Sequence, residues 1–249
     1  MGCGPVAPAA SDPQAAGAVV SGVRSSGKVD ATIPVLIVGA GPVGLSTALF
    51  LGRHGVRTVL VEKRAGTSEL PRAPGLQART MELFRGAGLH HDVRALEMGD
   101  SHPYFEGGII KTRTFAEIDD AVTLEAPSLD GPRISPERVM GCGQDRYERV
   151  LVAKAKELGC DVRFSTRLVA VRQDSDGVTS TVEDPDGARH TVRARYLVAA
   201  DGANSFIRNA MGLRRYGRGT VFHALSIYFR APKLERILHD RKFILCYAT

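Results

Sequence analysis

The sequence has little cysteine, no long apolar run and no block of basic residues, and each lack removes a class of protein. Cys3, Cys142, Cys160 and Cys246 are scattered, with no Cys-x-x-Cys pair among them. That spacing supports neither a zinc site nor a disulfide framework, so no metal is expected and the four read as small apolar side chains in a reducing compartment. No apolar stretch approaches the roughly 18 residues that span a bilayer, and the first residues show neither the basic start nor the apolar core of a secretory signal. A cytoplasmic location is the default expectation. Met1-Gly2-Cys3 opens like a myristoylation signal, but Val6 stands where Ser or Thr is required. The formal charge of +6 is spread over Lys and Arg interleaved with Asp and Glu. Without a basic block or an aromatic platform this is a solvated surface, so neither nucleic acid nor membrane is expected as a partner, although the sign favours an anionic ligand.

What is present is the balance of a globular chain: 249 residues, 43% hydrophobic and 24% charged, enough for one large domain or two small ones. Residues 1–32 are rich in Ala, Gly, Ser and Pro without hydrophobic period and read as a disordered arm. Ile33 to Val38 is then a continuous apolar run, the pattern of a strand buried on both faces. Pro42 to His54 turns helical, with Val43, Leu45, Ala48, Leu49 and Leu51 as its apolar face, and Arg57 to Val61 is β-rich again. The order is that of a βαβ unit. Helical spacing recurs from Leu76 to Leu89 and from Gln144 to Leu158, where Tyr147, Leu151, Ala155 and Leu158 share a face.

Asp161–Ser165, Leu168–Arg172, Val178–Glu183 and Ala188–Ala199 read as strands, with turns at Asp176-Gly177 and Asp186-Gly187. Three hairpin-linked strands form an expected antiparallel appendage, and Tyr196 to Ala200 returns the chain to the parallel sheet. Val221–Phe229 and Phe243–Tyr247 are expected as further strands. No internal repeat is visible.

Gly39-Ala40-Gly41-Pro42-Val43-Gly44 is a G-x-G-x-x-G between a buried strand and a helix. In that context the first glycine permits the turn, the second lets a diphosphate approach the backbone, and the third lets helix and strand pack closely. The amino-terminal amides of the helix favour the diphosphate charge. Glu62 closes the second strand, where a carboxylate can accept from a ribose hydroxyl, and Lys63 and Arg64 follow it as a possible phosphate contact or plain surface charge. The element recognises an ADP moiety and by itself does not separate NAD from FAD. Asp201 follows an apolar strand and precedes a helix, at a strand end where ligands gather. Adjacent His90 and His91 cannot share a helix face and read as surface residues. His223, on the expected strand 221–229, is the one histidine worth following.

Three further stretches carry a resemblance. Arg72-Ala73-Pro74-Gly75-Leu76-Gln77-Ala78-Arg79-Thr80-Met81-Glu82-Leu83, Gly143-Gln144-Asp145-Arg146 and Asp201-Gly202-Ala203-Asn204-Ser205-Phe206-Ile207-Arg208 resemble, in this order, segments of the class A flavoprotein monooxygenases, and within them the aromatic polyketide hydroxylases. The resemblance implies an α/β fold with a Rossmann-like FAD-binding domain over 33–215, an antiparallel appendage, and the start of a substrate-binding β-sheet over 216–249. It implies FAD contacts at Arg72, Gln144, Asp201 and Gly202 besides the glycine loop. It also implies NADPH or NADH as reductant and molecular oxygen and a small aromatic compound as co-substrates, with a flavin hydroperoxide delivering the oxygen atom. The cofactor carries that chemistry, so no acid or base of the protein is nominated as catalytic.

Tyr147, Arg149 and Phe206 depart from residues common in relatives, and the later Gly-Asp-Ala/Ser-His segment of the family is missing from the sequence. The chain therefore resembles a C-terminally truncated member. Two other readings stand beside the hydroxylase: a non-catalytic FAD-binding fragment, and a flavin oxidase or reductase of the same fold.

Overall fold

The structure is a computed structural model that describes residues 29–70, 72, 73, 75–97, 108–125, 135–227, 229–238, 241, 243 and 245–248. Most of the expected arm, the Met1-Gly2-Cys3 start, Pro74 and Tyr228 lie outside the described residues. Two compact units are present, one formed by residues up to Ser68 with Leu151–Arg215, the other by Glu69–Val150 with Tyr216–Thr249. Residues 69–150 group with the later residues rather than with the glycine loop.

The first unit is built on a six-stranded sheet in the order β7-β2-β1-β10-β9-β8. Its strands are β1 (Ala31–Val38), β2 (Thr58–Val61), β7 (Asp161–Arg163), β8 (Arg167–Asp174), β9 (Gly177–Glu183) and β10 (Arg189–Ala199). Strand β1 starts at Ala31, so the last two residues assigned to the arm are ladder residues. Val35, Leu36, Ile37 and Val38 are all buried, as a strand covered on both faces requires. One face joins Leu36, Val38, Val61, Leu168, Val182 and Ile207 in a single apolar cluster. Helix α1 (Pro42–Arg53) buries Leu45, Ala48 and Leu49. Val43, expected on that apolar face, is instead 67% exposed, because it lies in the first turn at the strand ends rather than over the sheet.

Strands β7, β2, β1 and β10 are parallel, while β9 and β8 are antiparallel to their neighbours. The antiparallel appendage is therefore present, and its third strand, β10, also pairs with β1 along 31–38. The 161–165 segment, by contrast, belongs to the parallel sheet. The β8–β9 turn is closed by Asp174 Oδ1, which accepts from the Asp176 N–H at 3.0 Å in an Asx turn, and Gly177 supplies the φ of +148° that the Asp-Gly signal pointed to.

The second unit contains β3 (Gly75–Leu76) paired with β6 (Met140–Gly141), and a three-stranded sheet of β11 (Leu245–Ala248), β4 (Ile109–Thr112) and β5 (Val122–Glu125). Helix α2 (Ala78–Gly86) forms within the span expected to be helical, 76–89, and a separate short helix, α3 (His90–Arg94), follows the turn at Gly88. Helix α4 (Gln144–Glu157) ends one residue short of the expected Leu158, and from Leu151 onward its residues belong to the first unit. The expected strand 221–229 is not formed among its described residues: Val221, Phe222, Leu225, Ile227 and Phe229 are 68–86% exposed and unpaired, and His223 is exposed among them. β-Branched and aromatic residues make that stretch a good strand former, but propensity without a partner ladder does not make a strand. Among the described residues no helix is long and apolar enough to cross a membrane. Two further short helices are α5 (Phe206–Ala210), in the first unit, and α6 (Leu234–Leu238), and a 3-10 turn runs over Phe115–Asp120.

Glu137 ties α2 and α3 together. Its carboxylate lies 3.0 Å from Arg94 Nη2 and 3.2 Å from both Arg85 Nη1 and His90 Nε2, with only 5% of the side chain exposed. The Arg94 hydrogen bond holds the carboxyl below the ordinary carboxylate range against the opposing effect of burial, and the charges of His90 and Arg85 act in the same direction as Arg94. A depressed carboxylate contributes stability above its unfolded value and loses that contribution as pH falls through the lower folded value. Glu137→Gln should therefore lower the melting temperature at neutral pH, with the gap from wild type narrowing as pH falls below 4.5. Melting curves across pH check this, and a gap constant down to strongly acidic pH contradicts it.

Candidate functional site: three strand ends in register

The parallel ladders place Val38 opposite both Val61 and Ala199, so β1, β2 and β10 end level. The residues that follow are the nominated ones: Gly39–Gly44 after β1, Glu62 and Lys63 after β2, Asp201 and Gly202 after β10. From β1 the chain passes to β2 on one side, and β10 lies on the other. This is a topological switch point, where ligands sit outside the carboxyl ends of an open α/β sheet.

The three glycines have separate physical duties. Gly39 has φ +107°, and a Cβ there would collide with the Ala200 carbonyl oxygen, so the turn after β1 lies directly against the turn after β10. A Cβ on Gly44 would collide with the Gly39 carbonyl oxygen. Gly41 differs: a Cβ built there meets nothing within 4 Å. Its absent side chain leaves open space at the amino end of α1.

That end is prepared for an anion. Gly41 is the N-cap without a side-chain cap, Pro42 supplies no N–H, and the first turn holds no acidic residue. The ladder of the helix starts where the Leu45 N–H donates to the Gly41 carbonyl at 3.0 Å. The Val43 and Gly44 amides precede it and, as first-turn donors, have no partner within the helix.

Glu62 braces the loop. Its Oε2 accepts from the Ala40 N–H at 2.8 Å and its Oε1 from the Arg64 N–H at 3.0 Å. An ionised carboxylate has about four acceptor positions, so two remain for hydroxyl donors. Lys63 is exposed, with no ion-pair partner among the described residues.

On the other side, Asp201 Oδ2 accepts from the Ile207 N–H at 3.2 Å. The N-cap of α5 is Ser205, whose Oγ accepts from the Arg208 N–H at 2.9 Å, and Arg208 Nη1 donates to the Ala203 carbonyl at 2.7 Å. The Asp-x-x-x-Ser-x-x-Arg pattern is thus a self-closed turn, with Gly202 at φ +83° in its bend.

Arg72 and Gln144, in the second unit, are brought together by their backbones: the Gln144 N–H donates to the Arg72 carbonyl at 3.0 Å. Arg72 is exposed, and its guanidinium has no ion-pair partner among the described residues. Ala73 beside it holds φ +43°, a conformation that stores strain in a non-glycine residue and clusters at functional sites. Gln144 Nε2 donates to Glu148 Oε1 at 2.6 Å. Sequence reasoning did not single out Glu148, although a carboxylate one turn beyond a nominated glutamine was the available signal. Cys142, two residues before Gln144, is buried, which raises its thiol to about 11 and keeps it protonated. His90 and His91 meet edge to face at 5.3 Å, and His90 serves the Glu137 cluster.

A family model described as an FAD binding domain matches residues 32–249. A tetracenomycin A2 monooxygenase-dioxygenase of Streptomyces glaucescens is 44% identical over 227 residues, which cover 86% of this chain and 40% of the relative. An aklavinone 12-hydroxylase of Streptomyces peucetius subsp. caesius is 41% identical over 209 residues, covering 80% of this chain and 41% of that one. Among solved structures, an aklavinone-11 hydroxylase in a ternary complex with FAD and aklavinone aligns with a TM-score of 0.68 at 38% identity, over 78% of this chain and 37% of that chain. The flavin-dependent monooxygenase PieE, in complex with FAD and substrate, gives a TM-score of 0.63 at 34% identity, over 74% and 33% of the two chains. The chain spans about two-fifths of the length of the curated relatives.

The glycines separate folding from binding. Gly44→Ala should lower the melting temperature, since the new methyl overlaps backbone and overpacking of this kind costs about 1–3 kcal/mol. Gly41→Val should leave the melting temperature of the cofactor-free chain near wild type and abolish FAD retention. Thermal melts beside flavin absorbance after gel filtration check both, and a Gly41→Val chain with unchanged flavin content contradicts the assignment.

Proposed function

Because the chain belongs to the FAD-binding domain family, we propose that it forms the cofactor-binding part of an NAD(P)H-driven monooxygenase that hydroxylates an aromatic, polyketide-type compound in the cytoplasm. The observation that carries the reading is the set of level strand ends after β1, β2 and β10. They combine first-turn amides without a partner inside the helix, open space at Gly41, a braced carboxylate at Glu62 and the closed Asp201 turn.

These residues fit FAD. The Val43 and Gly44 amides take the diphosphate, with Gly41 permitting its approach and Pro42 fixing the first turn. Glu62 accepts from the adenosine ribose, and Lys63 adds positive charge nearby. Asp201 and Gly202 shape the turn facing the loop, and the resemblance adds Arg72 and Gln144 as FAD contacts. Bound FAD would supply the redox chemistry, by which two electrons from NADPH or NADH let one atom of dioxygen enter an electron-rich ring while the other leaves as water. The protein holds the cofactor and keeps water from it; the likeness to hydroxylases of tetracenomycin and aklavinone type supports a phenolic polyketide as the compound oxidised.

Oxygen-18 labelling tests this. The purified chain, supplied with FAD, NADPH, labelled dioxygen and a phenolic polyketide, should give a product carrying one labelled oxygen atom, and NADPH consumption should accelerate when the phenol is added. NADPH oxidation with no labelled product contradicts the hydroxylase and leaves an oxidase or reductase.

A further inference from the structure

Glu148 is 1% exposed, and nothing assigned so far to helix α4 calls for a buried carboxylate. Such a group is held in place only when donors satisfy it. One donor is Gln144 Nε2, at 2.6 Å, while the Gln144 backbone is fixed separately by its bond to the Arg72 carbonyl at 3.0 Å.

The pairing fixes more than position. A glutamine amide has two chemically opposite ends, an NH2 that donates and a carbonyl that accepts. A carboxylate accepts only, so it must take the NH2 end. The free end of Gln144 is then the carbonyl oxygen.

Resting on the reading of Gln144 as an FAD contact, we propose that Glu148 is a positioning residue that locks the Gln144 amide, so that Oε1 accepts a hydrogen bond from a hydroxyl or N–H group of FAD. Glu148 acts on the cofactor through Gln144 rather than by touching it. The assignment restricts the contact chemically: a phosphate or carbonyl oxygen of the cofactor would face another acceptor and be repelled. With the lock removed, the amide turns over in part of the molecules and meets the cofactor donor with its own donor.

The test is a set of FAD titrations followed by flavin fluorescence, with melting temperatures of the cofactor-free chains and the visible spectrum of bound flavin recorded for each. Gln144→Ala and Glu148→Leu should each weaken FAD binding about tenfold, the scale of one hydrogen bond to the cofactor. The double variant should bind no more than about twofold weaker than Gln144→Ala, since residues acting as one unit are not additive. Both single variants should change the bound-flavin spectrum in the same way. Glu148→Gln, whose carbonyl can still accept from Gln144, should recover most of the affinity, whereas Glu148→Asp, with its carboxylate withdrawn by one methylene, should not.

A Glu148→Leu chain that binds FAD as wild type, or whose loss multiplies with that of Gln144→Ala, overturns the positioning role while leaving the Gln144 contact in place. If Glu148→Leu does not fold, the order of the Gln and Asp variants decides, and retention by Asp with loss by Gln overturns the proposal. A Gln144→Ala chain that binds as wild type, or a wild-type chain that takes up no FAD, overturns the cofactor reading itself and the proposal with it.

Discussion

The carboxylate of Glu62 ties the turn after β1 to the turn after β2 through two backbone N–H groups, at 2.8 and 3.0 Å, and the geometry of the site depends on that tie. Without it the Ala40 N–H would have no acceptor in the loop that carries Gly39 and Gly41. The parallel register brings β1, β2 and β10 to the same level, but it fixes only where the strands stop. Glu62 fixes where the loop goes next, and Gly39 fixes how closely that loop meets Ala200. A charged acceptor on neutral amides makes the stronger kind of hydrogen bond, so the same group stiffens the loop and keeps acceptor capacity for a ligand.

The second unit uses the same device at two places. Glu137 gathers Arg85, His90 and Arg94, and Glu148 holds Gln144. In each case a carboxylate with little exposure is satisfied by donors from side chains that the sequence spreads apart or places one turn away. A half-satisfied buried carboxylate destabilises strongly, so each arrangement is specific as well as stabilising. In the first unit the acceptor serves backbone, and in the second it serves side chains.

Much of the first unit was legible in the sequence because its signals are local. The apolar run before Gly39, the glycine spacing, Pro42 at the helix start and the Asp-Gly turns each depend on neighbours a few residues away. The return of Tyr196–Ala199 to the parallel sheet was also readable from its continuous apolar run, which pairs with β1 although Tyr196 itself stays exposed. What could not be read is non-local. Val221 to Phe229 has the residues of a strand, but a strand needs a ladder, and the described residues supply none. The grouping of 69–150 with 216–249 rests on β11 pairing with β4, which no local pattern encodes. Val43 has an apolar side chain at a helical position, yet its turn stands clear of the sheet. Glu148 was readable in principle from its spacing to Gln144, but an acidic residue on an amphipathic helix ordinarily faces solvent, so its burial emerges only from packing.

The central claim is that the level strand ends bind FAD, and the most direct measurement is the visible absorbance of the purified 249-residue chain after incubation with FAD and removal of free cofactor. The account predicts a retained flavin spectrum with stoichiometric occupancy. A colourless chain that is folded by thermal melt, yet takes up no flavin, would contradict it.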